Sequence, residues 1–158
     1  MPLKNRRKKC LFSRKRYWYH VSTTLKNKCV KLYPREDGEN RSGSEPPGER
    51  ICVAPTIEQC ITAVPYRYST EFSIYRTKKK VMALPPNEVF DMDITDEGWL
   101  ETPTTFVKLG TLNFEDIEIG LNEDSVIGEA ASDGTVDYSK KVLKWWKRAR
   151  IKRFIKYA

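Results

Sequence analysis

The chain has one histidine, His20, among 158 residues that include 29 Lys and Arg. A lone imidazole, and four cysteines (Cys10, Cys29, Cys52, Cys60) without a CxxC pair, leave no ligand set for a zinc site of the usual kind. No carboxylate pair clusters at metal spacing, so a two-metal nuclease or phosphotransferase centre has nothing to be built on. No run of about 18 apolar residues occurs, and no apolar segment follows the basic start, so neither a spanning helix nor an export signal is predicted. The expectation is a soluble, intracellular, cytoplasmic protein with reduced thiols, Cys52 and Cys60 lying in the core.

Acid is missing from one stretch in particular. Residues 1–16 hold eight Lys or Arg and no Asp or Glu, and residues 137–158 hold nine against the single Asp137. The intervening residues carry 12 basic and 20 acidic side chains, a net of −8 against +16 for the two ends, which closes on the overall +8. An acidic body with two basic ends leaves two readings open. Either the ends solubilise the chain or fold back onto its own acidic surface, or they attract a polyanion, RNA or DNA first, or an acidic protein surface. The side chains that would make such contacts are Arg6, Arg7, Lys8 and Lys9 at one end, and Lys144, Trp145, Lys147, Arg148, Arg150, Lys152 and Arg153 at the other. No helix-turn-helix, zinc-finger or RNP-type motif is present, so sequence-specific reading is not implied.

The stretch "SKKVLKWWKRARIKRFIKYA" has no Gly or Pro and follows the turn and cap residues "SDGTVD", which predicts a basic amphipathic helix within 137–158. Its apolar stripe changes face near Arg150. Val142, Trp145, Trp146 and Ala149 share one side, whereas Ile151, Phe154, Ile155 and Ala158 fall nearly opposite. One continuous helix would have to dock half its length and expose the rest, or pack against two surfaces. An anionic membrane surface or a partner's groove are further places for such a helix.

In the body, "RYWYHVS" alternates as a strand does and "KCVKLYP" reads as extended. A loop of about 17 residues, "PREDGENRSGSEPPGER", follows, long enough to be functional or disordered. "RICVAP" is a short strand, and "PTIEQCITAV" opens a helix with Thr56 as N-cap and Gln59 three residues on, limited to about two turns by Pro65. Beyond Tyr66, "YRYSTEFSIYRT", "KVMAL", "EVFDMDIT" and "TTFVKLGTL" are strand-like, and "FEDIEIG" is a further candidate. The predicted class is α+β: a mostly antiparallel twisted sheet with one or two short helices and a C-terminal basic helix. The predicted units are a basic arm (1–16), a body (17–120), an acidic flexible linker (121–136) and the terminal helix (137–158).

The aromatic-His-x-Ser-Thr strand, the long loop, and the strand ending in Ala before a capped helix that runs into Cys resemble the donor half of the ADP-ribosyltransferase fold. The likeness is to the His-Tyr-Glu branch that includes the poly(ADP-ribose) polymerases. "HVS" at His20 to Ser22 is similar to that family's His-Gly-Ser strand, and "RICVAPTIEQC" to its next strand-helix unit. The arrangement is also similar to small phage-encoded proteins with a "YHVS" strand, which would place the protein in a host cytoplasm. The resemblance covers roughly residues 17–64, with an echo at "DITDEGW".

This resemblance implies NAD as cofactor, with His20 bonding the nicotinamide-side ribose and Ser22 the carboxamide, beside Thr23, Cys52 and Thr56. Arg35 and Arg50 bracket the long loop, and each is either a bidentate clamp on the pyrophosphate or a partner for the loop's own acids. Glu97 in "ITDEGWL" is the candidate catalytic carboxylate for an oxocarbenium-like transition state, with Asp93 and Asp96 as competitors. The sequence departs from the family at two places: Cys52 stands where a tyrosine stacks on nicotinamide, and Val21 where a glycine lies beside the histidine. Two functions follow as expectations: an enzyme transferring ADP-ribose to a host protein or nucleic acid, or a non-catalytic basic binding module or inhibitor.

Overall fold

The computed structural model describes residues 10–36, 48–63, 71–86, 92–113, 143–144, 146–148 and 150–158. All strands pair antiparallel, and short helices lie among them, so the fold is α+β with antiparallel sheets. The main sheet runs β1 (Tyr19–Ser22), β4 (Glu71–Thr77), β6 (Thr104–Asn113), β2 (Cys29–Leu32). β7 (Lys156–Tyr157) also pairs β6, at Gly110 and Thr111, so β2 and β7 divide one edge of that long strand between them. A second sheet joins β3 (Ile51–Val53) to β5 (Gly98–Leu100). It meets the first where Tyr19 and Ala54 exchange backbone hydrogen bonds of 2.9 and 3.0 Å.

Side chains alternate across a strand, and here both faces of the main sheet are buried. Val21, Phe72, Ile74 and Leu112 pack with Ile57 and Ile61 of helix α1 (Ile57–Thr62) and with Trp146, Ile151 and Ile155. On the other face Trp18, Tyr75 and Phe106 pack with Ile51, Val53 and Leu100 of the second sheet. Phe106 and Leu112 are an even number of residues apart and would share a face in an unbroken strand. They do not, because Ile74 pairs Gly110 while Tyr75 pairs Lys108, which leaves Leu109 as an inserted residue. This β-bulge turns the second half of β6 over.

Thr56 is extended (φ −134°, ψ 157°), and its side chain accepts from the Gln59 N–H, as expected of an N-cap. Gln59 does not close the reciprocal half of a capping box. Its Oε1 takes the Thr56 hydroxyl proton at 2.9 Å, and its Nε2 donates to the Ile94 carbonyl at 3.2 Å and to Asp96 Oδ2 at 2.7 Å. Those bonds hold helix α2 (Met92–Thr95), which lies inside the strand-like run "EVFDMDIT". Tertiary hydrogen bonding outweighs the strand propensity of Ile94 and Thr95 there. "KVMAL" likewise forms only isolated bridges, Val81 with Arg16 and Leu84 with Trp99.

The final segment resolves the change of face seen in its sequence. Residues 143–144 and 146–148 are helical, but Arg150 adopts a left-handed conformation (φ 52°). A 3-10 turn follows over Ile151–Phe154 and then β7. The expected single continuous helix is therefore corrected to helix, break, turn and strand. The left-handed residue rotates the stripe, so that Trp146, Ile151 and Ile155 enter the same core. The predicted linker 121–136, the "FEDIEIG" candidate and most of the long loop lie outside the described residues. Among those described, no helix is long and apolar enough to cross a membrane.

Candidate functional site

Of the cofactor residues singled out by the resemblance, His20 and Cys52 lie where the two sheets meet, and the others lie in the turn, helix cap and loop base around it. His20 lies on β1, its Nδ1 at 3.0 Å from the Cys52 carbonyl and its ring 5.8 Å from that of Phe106. A carbonyl only accepts, so this contact fixes a proton on Nδ1. The structure thus brings His20 and Cys52 together through the Cys52 backbone. Ser22 closes the turn after β1: its Oγ accepts from the Thr24 N–H at 3.2 Å and the Leu25 N–H at 3.0 Å. Thr23 is half-buried in that turn. Thr56 is the helix cap.

Arg35 and Arg50 do meet, but through their backbones, which exchange hydrogen bonds of 3.2 and 3.0 Å and close the base of the long loop. Their side chains part. Arg35 is exposed, whereas Arg50 is 3% exposed, its guanidinium 4.2 Å over the Trp99 ring and its Nη1 donating to the Gly48 carbonyl at 3.4 Å.

Glu97 precedes β5 and follows Asp96, which is buried and left-handed (φ 49°). The glycine beside it has a packing role: a Cβ on Gly98 would lie 2.9 Å from the Ala83 Cβ and 3.0 Å from the Trp18 ring. Burial pushes the Cys60 thiol up to about 12, and the Glu97 charge adds to the rise, while a hydrogen bond from the Val21 backbone opposes it. The Cys60 thiol donates to the Tyr19 carbonyl at 3.4 Å. The Glu97 charge therefore lies within electrostatic reach of helix α1. All four cysteines are free thiols, Cys10 and Cys29 exposed.

A second constellation was not anticipated. Arg16 and Val81 exchange backbone bonds of 3.0 and 2.9 Å, which lays the end of the basic arm alongside the "KKK" run. That bridge brings the Arg14 to Arg16 segment alongside the Lys78 to Lys80 segment, with Arg76 and Lys80 meeting at Tyr17. Tyr17 sits among them, with the Arg76 guanidinium 4.1 Å and the Lys80 ammonium 5.6 Å from its ring centre. Arg16 lies 5.8 Å from the Trp18 ring. Among the described residues none of these seven cations makes an ion pair, whereas Lys26 pairs with Glu71 at 3.0 Å and Lys152 reaches Glu58 at 3.9 Å. A cleft of about 400 Å³ runs from Arg14, Lys15 and Arg16 to Thr56 and Gln59. The sequence signal for this surface was the lysine triplet itself. Its meaning depended on a pairing between distant segments.

Of the terminal cations, Lys144, Lys147, Arg148 and Arg150 are exposed, and Arg153 lies 4.7 Å over Phe154. Arg6, Arg7, Lys8, Lys9 and Trp145 lie outside the described residues. No known protein family, curated protein or solved structure matches the chain.

Proposed function

We propose that the protein is a non-catalytic binding module for a polyanion, nucleic acid foremost, acting through the surface of Arg14 to Arg16, Arg76 and Lys78 to Lys80. The observation that carries this reading is the approach of two basic segments far apart in sequence, whose seven cations have no carboxylate partner among the described residues. Crowded like charges repel, and a polyanion relieves that repulsion while releasing counterions. Tyr17 between Arg76 and Lys80 adds the aromatic component common at nucleic-acid surfaces. Arg6, Arg7, Lys8 and Lys9 extend the same segment in sequence and add to its charge. A cytoplasmic location, where nucleic acid is accessible and thiols stay reduced, fits this role.

The test is a salt titration of labelled oligonucleotide binding. Replacing Lys78, Lys79 and Lys80 by Ala, all exposed side chains, is expected to weaken binding and lower the slope of log affinity against log salt by about three. An unchanged slope overturns the reading.

The NAD-dependent transferase reading keeps one observation in its favour: the Glu97 charge reaches Cys60, whose thiol meets the carbonyl of the residue beside His20. Against it, the His20 Nδ1 and the Ser22 hydroxyl are already engaged by backbone. If it holds, NAD raises the unfolding midpoint, and Glu97→Gln abolishes slow NAD hydrolysis while the fold persists.

A further inference from the structure

The turn carrying Lys78 and Lys79 borders a groove of about 600 Å³. That volume falls within the range of about 300–1,000 Å³ usual for ligand sites. One wall comes from Met82 and Leu84, which are 53% and 51% exposed. Only four large hydrophobic side chains are so exposed among the described residues, and these two stand together in one concavity. An apolar patch with a polar rim is the surface signature of a binding site. Trp99 and Leu100 line the groove as well, with Glu101 and the Thr102, Thr104 and Thr105 segment along the opposite side.

We propose that this groove receives one unstacked base of a single-stranded nucleic acid whose phosphates lie on Lys78, Lys79 and Lys80. The inference rests on the polyanion reading above and adds the strand form and the mode of recognition. Three features favour this occupant. The lysines at the mouth continue into the Arg76–Tyr17 stack, giving an extended track of positive charge suited to a regularly charged polymer. The apolar wall offers a base the contact it loses on leaving its neighbours, which a duplex cannot exploit because its bases remain stacked. Glu101, as a carboxylate, only accepts hydrogen bonds, so it favours the exposed amino group of cytosine over uracil, whose one base donor, N3–H, is flanked by two carbonyl oxygens that repel a carboxylate.

The experiment is fluorescence anisotropy on the full chain with a short oligocytidine, an oligouridine and a duplex of equal length, with heparin as a base-free polyanion. Oligocytidine is expected to bind about tenfold more tightly than the duplex, from stacking and hydrogen bonding of one seated base. The double substitution Met82→Ser, Leu84→Ser removes that preference and leaves duplex and heparin affinity unchanged. Both side chains are half exposed, so the core is spared. Glu101→Gln narrows the gap between oligocytidine and oligouridine. Equal binding of single strand and duplex, with the serine variant neutral, overturns the groove proposal and leaves the polyanion reading standing. So does an acidic, apolar peptide that binds in a way sensitive to Leu84→Ser while no oligonucleotide is. Failure to bind heparin or any oligonucleotide overturns both.

Discussion

Residues 10–16 and 150–158 are both basic ends of one chain, yet the fold holds them differently. The first presents Arg14 and Lys15 to solvent and is held by the Arg16–Val81 bridge, by burial of Leu11 and by Phe12 stacked on Trp18 at 5.7 Å. The second is woven into the structure. Ile151 is fully buried, Ile155 nearly so, and Lys156 and Tyr157 complete an edge of the main sheet. Its cations ride on a segment needed for the core, whereas those of the first end ride on a segment laid across the surface. Similar charge counts thus sit on unlike supports: under the function proposed above, charge is the working feature of the first, whereas in the second it keeps a buried segment solvated.

The largest effect should come from removing the anchor of the second end. Trp146→Ala is expected to cost about 3–5 kcal/mol in denaturant unfolding, since a fully buried indole leaves a cavity. A loss below about 1 kcal/mol would mean that the terminal segment is not part of the core and that the two ends are alike. Gly110→Ala strikes the same attachment from the sheet side. A Cβ there would collide with the Lys156 carbonyl oxygen and lie 2.8 Å from Ile155 Cγ2. It is expected to cost about 1–3 kcal/mol and to increase amide exchange in β7.

The comparison is sharpened by neutralising charge at each end. Arg14→Ala with Lys15→Ala should lower the salt slope of oligonucleotide binding by about two, and Lys147→Ala with Arg148→Ala by less than one. Equal slopes would erase the distinction.

At neutral pH the smallest effect is that of the Cys60 thiol, raised from its ordinary 9.0 to about 12 by burial and by Glu97. The folded state keeps this proton longer than the unfolded state does, so its contribution is constant below about pH 8.5 and is lost as pH rises through that window, at no more than about 1.4 kcal/mol per unit. Cys60→Ala should flatten this alkaline decline. With iodoacetamide at pH 8, mass spectrometry should find Cys10 and Cys29 modified first and Cys60 only on unfolding.

Much of the framework was legible in the sequence because it rests on local rules. The alternation of "YWYHVS" marks β1, Thr56 caps α1, and "TTFVKLGTL" falls within β6. The shift of the apolar stripe at Arg150 was visible too, but only a left-handed backbone there shows how both halves reach one core. Helix α2 was misread as strand because its turn is held by Gln59, a partner on another element. The same limit hid the basic surface. Lys78 to Lys80 gain meaning only beside Arg14 to Arg16, and nothing local encodes that adjacency. For His20 the sequence posed the question, and the Cys52 carbonyl supplies a structural role: the imidazole ties the two sheets together where they meet.

The inserted residue at Leu109 makes one strand a shared wall of both interiors. Pairing β6 with β4 in one unbroken register, with Leu109 no longer set aside, would instead carry Leu112 to the Phe106 face and take from the closing segment the side chain it packs on. A one-residue slip of that register should therefore unseat residues 151–157 before any change is made to them, whereas deletion of Leu109 alone leaves Leu112 opposite Phe72. The seating of the chain's last turn is in this sense written some forty positions upstream of it.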